Sequence, residues 1–170
     1  MIVSPFSKDF DRRHFQSGEP ALDRYLQVQV SQDLRANIAA CYILHEQGSK
    51  ETMGYYTLSA FSIMLTNIPS DQAKKLPRYP HVPVTLLGRL AVSRDLQGKG
   101  WGKMLVIDAL RKAATARSSI GSWAVVVDPL NASAAHFYSK FGFRPCRGDS
   151  SEDARMLLTM RDIEKNLGTG

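Results

Sequence analysis

Leu86-Leu87-Gly88-Arg89-Leu90-Ala91-Val92-Ser93-Arg94-Asp95-Leu96-Gln97-Gly98-Lys99-Gly100-Trp101-Gly102, running on into Lys103-Met104-Leu105-Val106-Ile107, is the stretch whose reading decides the fold. An apolar, β-branched run meets a short polar turn, and glycines at alternate positions then open an apolar-periodic segment. That pattern predicts strand, tight loop, helix. The first amides of a helix have no intrahelical acceptor, and the helix dipole adds partial positive charge there. Glycines at 98, 100 and 102 keep side chains off the backbone. Such a junction presents N–H donors suited to a phosphate or pyrophosphate, and Lys99 and Lys103 add charge beside it. The spacing is neither the dinucleotide fingerprint Gly-x-Gly-x-x-Gly nor a P-loop. An ordinary glycine-rich turn is the alternative, and the rest of the chain has to decide between them.

The 170 residues are expected to form one domain over 1–170, with no repeat, low-complexity tract or linker. Hydrophobic residues at 44% and charged residues at 22% are ordinary for a globular protein. No run approaches the ~18 apolar residues of a membrane span. The first residues carry Lys8, Asp9, Asp11, Arg12 and Arg13 without an apolar stretch, so a cytoplasmic location is expected. Cys41 and Cys146 match no metal or redox spacing and read as reduced thiols. The net charge of +6 permits a polyanionic partner such as nucleic acid or an anionic cofactor, with simple solubility charge as the alternative.

Working outward, Ile2 to Phe6 is a short edge strand limited by Pro5. Ser17-Gly18-Glu19-Pro20 is a helix start with a capping hydroxyl, and Leu22, Tyr25, Leu26 and Val30 keep helical spacing to about Ala36. Ile38 to His45 and Met53 to Phe61 are hairpin partners around Gln47-Gly48-Ser49-Lys50. Residues 62–82 are irregular and broken by prolines, with one or two helical turns at Ser70 to Leu76. Val84 to Val92 is a long central strand, and helix 100–117 places Met104, Ile107, Leu110 and Ala114 on one face. Trp123 to Val127 is a buried strand. A helix capped by Asn131 or Asp128 stops at Gly142; Met156 to Met160 is a last strand, Arg161 to Asn166 a short helix, and 168–170 a tail. The order predicts an α/β or α+β sandwich around a mixed sheet.

Two motifs in this order resemble the GCN5-related N-acetyltransferases, the GNAT family. Gly88-Arg89-Leu90-Ala91-Val92 with Gln97-Gly98-Lys99-Gly100-Trp101-Gly102 is similar to the family's acetyl-CoA signature, and Asn131 with Tyr138 and Phe141-Gly142-Phe143 resembles its closing motif. The resemblance covers nearly the whole chain. It implies a GNAT fold: a mixed, mostly antiparallel central sheet with a splayed parallel strand pair and helices on both faces. It implies acetyl-CoA as donor, with no metal. Backbone groups around Leu90, Ala91 and Val92 would hold the pantetheine and acetyl carbonyl. Amides from Gln97 through Gly98, Lys99, Gly100, Trp101, Gly102 and Lys103 would hold the pyrophosphate. Asn131 would steady the pantetheine, and Tyr138 would protonate the leaving thiolate. Tyr138 also makes chemical sense unaided, since a phenol of pKa near 10 can hand a proton to a departing thiolate; a packing tyrosine is the alternative.

Phe15-Gln16-Ser17-Gly18, Gly54-Tyr55-Tyr56-Thr57-Leu58 and Pro83-Val84 leading to Leu87 through Val92 more narrowly resemble GNAT toxins of toxin–antitoxin pairs. That resemblance implies acetylation of the α-amino group of aminoacyl-tRNA, a homodimer, and silencing by a ribbon-helix-helix antitoxin. It would give Lys74, Lys75, Arg78, Arg89, Arg144 and Arg147 tRNA-facing roles, although Arg89, on the central strand, reads equally as a structural ion-pair partner. Acetylation of a small-molecule amine or a protein amino group, and a non-catalytic antitoxin-binding role, are the competing readings. A strong general base is dispensable, because an α-amino group of pKa near 7.7–8 is already partly neutral at pH 7. His45, His81 and His136 are conceivable bases but more typical of structural histidines, His14 reads as surface, and Cys146 as structural.

Overall fold

The computed structural model describes residues 1–148 and 154–168. Among the described residues seven strands follow the order β1-β2-β3-β4-β5-β7-β6, with one parallel pair, β4 and β5. They are β1 (Ile2–Pro5), β2 (Ala40–His45), β3 (Gly54–Met64), β4 (His81–Val92), β5 (Ala124–Val127), β6 (Arg144–Pro145) and β7 (Met156–Thr159). The helices are α1 (Pro20–Arg24), α2 (Val30–Arg35), α3 (Ser70–Ala73), α4 (Trp101–Ala116), α5 (Ala132–Ser139) and α6 (Met160–Gly168). The chain divides into two compact units, Met1–Ser59 with Leu87–Ala109 and Ala60–Leu86 with Leu110–Gly170, and β3, β4 and α4 run through both.

In the first unit β2 pairs antiparallel with β1 and β3, setting Tyr42 opposite Tyr56 with rings 5.0 Å apart. Phe10, Phe15, Tyr25, Leu26, Val30, Ile43, Tyr55 and Ala91 form its core. The helix expected from Ser17 to Ala36 differs in two ways. Glu19, not Ser17, is its N-cap residue. Ser17 instead forms a knot before the helix: its N–H and hydroxyl both donate to Asp23 Oδ1, at 2.8 and 2.5 Å, and its oxygen accepts the Glu19 N–H. A π-helical turn, Tyr25–Gln29, also separates α1 from α2. The wider turn sits in a stretch that keeps Tyr25, Leu26, Val30 and Asp33 all buried, and the Tyr25 hydroxyl donates to Asp33 at 3.0 Å.

In the second unit Ile63, Ile68, Val82, Val84, Ala124, Val126, Cys146 and Leu157 make a core. Both long strands outrun their expected ends. β3 continues to Met64, and β4 starts at His81 rather than Val84. Pro83 has no N–H to give a ladder, but its carbonyl accepts the Trp123 N–H at 2.8 Å, so the proline is accommodated inside the strand. β6, two residues long and half proline, was too short to carry a period. It pairs with β7, placing Arg144 opposite Leu157. α6 begins directly after β7, where Thr159 Oγ1 accepts the Asp162 N–H and its hydroxyl donates to the Asp162 carboxylate. Of the tail expected at 168–170, Gly168 instead closes α6, and 169–170 lie outside the described residues.

The buried stripe of α4 is Leu105, Val106, Ala109, Leu110 and Ala113, rather than the expected face through Met104, Ile107 and Ala114. The helix is apolar over most of its circumference, so periodicity left two candidate faces, and packing selects the one carrying the small alanines.

Candidate active site

The strand, loop and helix read from residues 86–116 are present, and within the first unit the loop is built with care. Gly98 (φ +74) and Gly100 (φ +87) adopt left-handed conformations that disfavour other residues. A Cβ at either would meet nothing within 4 Å, so glycine here serves backbone shape and leaves the amides uncovered. Lys99 and Lys103 are exposed, and the sixteen-residue α4 begins at Trp101. The uncovered left-handed backbone, the helix N-terminus and the two cations together fit a diphosphate.

Several bonds that the sequence did not reveal hold this loop. The Gln97 side-chain amide donates to the carbonyls of Ser17 at 2.7 Å and Val92 at 3.0 Å. Ser93 and Arg94 donate their N–H groups to Met53 and Gln16. Gly18 (φ +96) leaves room for the Arg94 guanidinium, which would stand 3.0 Å from a Cβ there. Gly54, at the start of β3, lets β4 approach: its Cβ would lie 3.0 Å from the Ala91 carbonyl oxygen. Leu90 is half-buried; Ala91 and Val92 are buried.

Tyr138 and Asn131 lie in the second unit. Asn131 caps α5, its Oδ1 accepting the Ala134 N–H at 2.9 Å. Tyr138, in the last turn, is 9% exposed, with its ring edge-on to Phe137 and Phe143 at 5.3 and 5.6 Å. Burial pushes its phenol up to about 12. The other buried tyrosines have committed their hydroxyls: Tyr25 to Asp33, Tyr55 to the Leu22 carbonyl, Tyr56 to Asp108. The Tyr138 hydroxyl takes no partner among the described residues, so it is the buried phenol left available for chemistry.

The remaining candidates separate. Arg89 forms no ion pair among the described residues; its guanidinium stacks 3.6 Å from the Tyr25 ring centre in the first unit. His45 is buried, its Nε2 bonded to Ser4 Oγ and its Nδ1 to backbone carbonyls, which is a structural histidine. His14, His81 and His136 are exposed. Lys74, Lys75, Arg78, Arg144 and Arg147 are exposed in the second unit. Arg144 reaches Asp71 at 3.3 Å, and the Arg147 N–H donates to the Asn67 carbonyl. Arg155 grips Asp128, just past β5, at 2.6 and 2.8 Å and stacks over Phe61. Cys146 is buried beside a cleft of about 400 Å³.

A family model described as an acetyltransferase (GNAT) domain matches residues 38–145, a span that contains both motifs. The chain belongs to the GNAT acetyltransferases and is an acetyl-CoA-dependent N-acetyltransferase. Its similarities are narrower than the family. It is 32% identical over 158 residues, 93% of this chain and 91% of that protein, to the tRNA-acetylating toxin of Mycobacterium tuberculosis. The structure of AtaT complexed with acetyl-methionyl-tRNAfMet superposes with a TM-score of 0.89 at 30% identity, covering 98% of each chain. A mutant of the toxin AtaT bound to acetyl-CoA and the C-terminus of the antitoxin AtaR gives a TM-score of 0.81 at 28% identity, over 98% of this chain and 97% of that one.

Proposed function

We propose that this protein is a toxin of a toxin–antitoxin pair: the whole chain acts as one acetyltransferase domain that moves acetyl from acetyl-CoA to the α-amino group of an aminoacyl-tRNA and so blocks translation. It works in the cytoplasm as a homodimer and is restrained by a ribbon-helix-helix antitoxin. Likeness over nearly its full length to toxins named for tRNA acetylation supports the acceptor. The observation that carries the chemistry is the buried Tyr138, whose hydroxyl takes no partner among the described residues.

Each residue then has a role. Amides of Gly98 through Lys103 hold the pyrophosphate, with Lys99 and Lys103 neutralising its charge. Leu90, Ala91 and Val92 hold the pantetheine and acetyl carbonyl through their backbone, and Asn131 steadies the arm with the amide NH2 that its capping oxygen leaves over. As the amine nitrogen bonds to the acetyl carbon and the carbon–sulfur bond breaks, Tyr138 gives its proton to the sulfur and recovers one from solvent. The amine's own proton leaves to water, since an α-amino group is partly neutral at pH 7. Gln97 acts by shaping the loop. Gln97→Leu removes two anchoring bonds, each worth about 1 kcal/mol, and is expected to raise the acetyl-CoA Kd about tenfold with kcat at saturation nearly unchanged. Calorimetric titration with acetyl-CoA, set beside steady-state rates, checks this.

Incubation of the protein with labelled acetyl-CoA and a charged total-tRNA pool tests the reading. Label is expected on charged tRNA and absent from deacylated tRNA. Label reaching only small amines or protein amines, with acetyl-CoA still bound, overturns the tRNA acceptor and keeps the acetyltransferase.

A further inference from the structure

A cleft of about 690 Å³ opens in the second unit at the amino end of β5, the end opposite Asp128 and Asn131. Its floor is Trp123 and Leu76, half-buried, and Met160, buried. Its walls bring together cations from separate stretches of chain: Lys75 after α3, Arg117 and Arg144, and Arg161 with Lys165 on α6. The last two stand four residues apart, on one helical face. Five cations thus face two carboxylates, Asp71 and Asp162. Both carboxylates are already engaged: Asp71 with Arg144, Asp162 with the Thr159 hydroxyl. Arg117 is held by Glu164. Arg144 and Arg117 keep 49% and 39% of their side-chain surface exposed, so these pairs orient the guanidinium groups without covering them.

A solvated charged face usually mixes signs and lies on convex surface. Here cations converge on a concavity with an aromatic floor. We propose that this cleft is a second, sequence-independent binding surface for the RNA partner, in which the cations neutralise backbone phosphates and the Trp123 face receives a ribose or base. This inference rests on the tRNA reading of the function and adds where the body of the nucleic acid is gripped. An extended polyphosphate chain suits the cleft because its cations are spread over separate elements and match successive charges rather than one anion.

The test uses the full-length protein and uncharged total tRNA, so that its readout is independent of acetyl transfer. Lys75 and Arg161 are exposed and carry no ion pair among the described residues, so changing them breaks no internal pair. The double variant K75E/R161E is expected to bind tRNA at least about tenfold more weakly at 0.1 M salt, and the slope of log K against log salt is expected to shrink by about 0.7 to 0.9 for each phosphate left without its cation. K75Q/R161Q is expected to fall between it and wild type, with the urea midpoints and the acetyl-CoA Kd of both variants unchanged. An unchanged tRNA affinity and salt slope overturns the proposal. So does unchanged tRNA binding accompanied by weakened binding of a glutamate-rich peptide, which would assign the cleft to an acidic protein partner. Acetylation of charged tRNA by wild-type protein is scored separately. If it occurs while the slopes coincide, the cleft proposal fails and the function stands; if it is absent while the slopes differ, the reverse holds.

Discussion

Tyr138→Phe is expected to lower kcat for acetyl transfer by about 10² to 10⁴-fold while leaving the acetyl-CoA Kd within about twofold. The change removes one oxygen and keeps the ring between Phe137 and Phe143. The oxygen has no partner among the described residues, so its loss strands no buried group, and the unfolding midpoint should hold. A residue there only for packing would leave turnover intact. Single-turnover rates with labelled acetyl-CoA, beside binding isotherms, separate the two, and unchanged turnover removes Tyr138 from the chemistry.

The same residue fixes a pH profile. A general acid must be protonated, and desolvation holds the Tyr138 proton up to about 12, above the ordinary phenol value. The rate is therefore expected to rise with pH as the acceptor amine loses its proton, and to show no falling limb from this group below about pH 10, where an exposed tyrosine would begin to ionise. The higher pKa weakens the phenol as a proton donor. A descending limb near pH 8 or 9 in the wild type that vanishes in Tyr138→Phe would contradict the assigned burial.

Gly54→Val is expected to cost about 3 kcal/mol of stability, and Gly54→Ala somewhat less. The added carbon would lie 3.0 Å from the Ala91 carbonyl oxygen and 3.3 Å from methyl carbons of Leu44 and Leu105. Side-chain methyls can rotate aside, but the carbonyl is backbone, so β4 itself must move. Ala91 belongs to the stretch proposed to hold the acetyl arm, so acetyl-CoA affinity should drop together with stability. Urea unfolding and acetyl-CoA titration check both, and a valine variant with a wild-type midpoint would show that the two strands are not forced together.

The legible parts of this molecule were those where one short segment contains its own explanation. The β4 to α4 junction could be read because apolar strand, glycines and apolar helix follow each other without interruption. The cap of α5 could be narrowed to Asn131 or Asp128 from their place before an alanine-rich helix, and the fold takes Asn131. What escaped was decided by partners distant in sequence. Gln97 could be read as part of the glycine motif, but not that its side-chain amide is tied to Ser17 and Val92, because nothing local predicts the Ser17 carbonyl. Gly54 reads only as part of the strand Met53 to Phe61, and only the fold sets Ala91 against it. The buried face of α4 was ambiguous because Met104 and Ile107 are as apolar as Leu105 and Val106, and β6 was missed because two residues carry no period. Among the basic residues composition gave the count, while only the fold showed that Arg144 and Lys75 line one cleft with residues of α6 and that Arg89 stacks on Tyr25.

The bond between Gln97 and Ser17 spans 80 positions, and this has a consequence in time. During synthesis the amino-terminal knot leaves the ribosome first and must wait for its counterpart; at roughly 5 to 20 residues per second the gap is about 4 to 16 s. The glycine loop, made directly after Gln97, therefore meets an amino-terminal partner that is already in place, and until then the growing chain lacks a finished donor site. The donor site thus takes shape only once Gln97 and the glycines that follow it have emerged, late in the synthesis of the first unit.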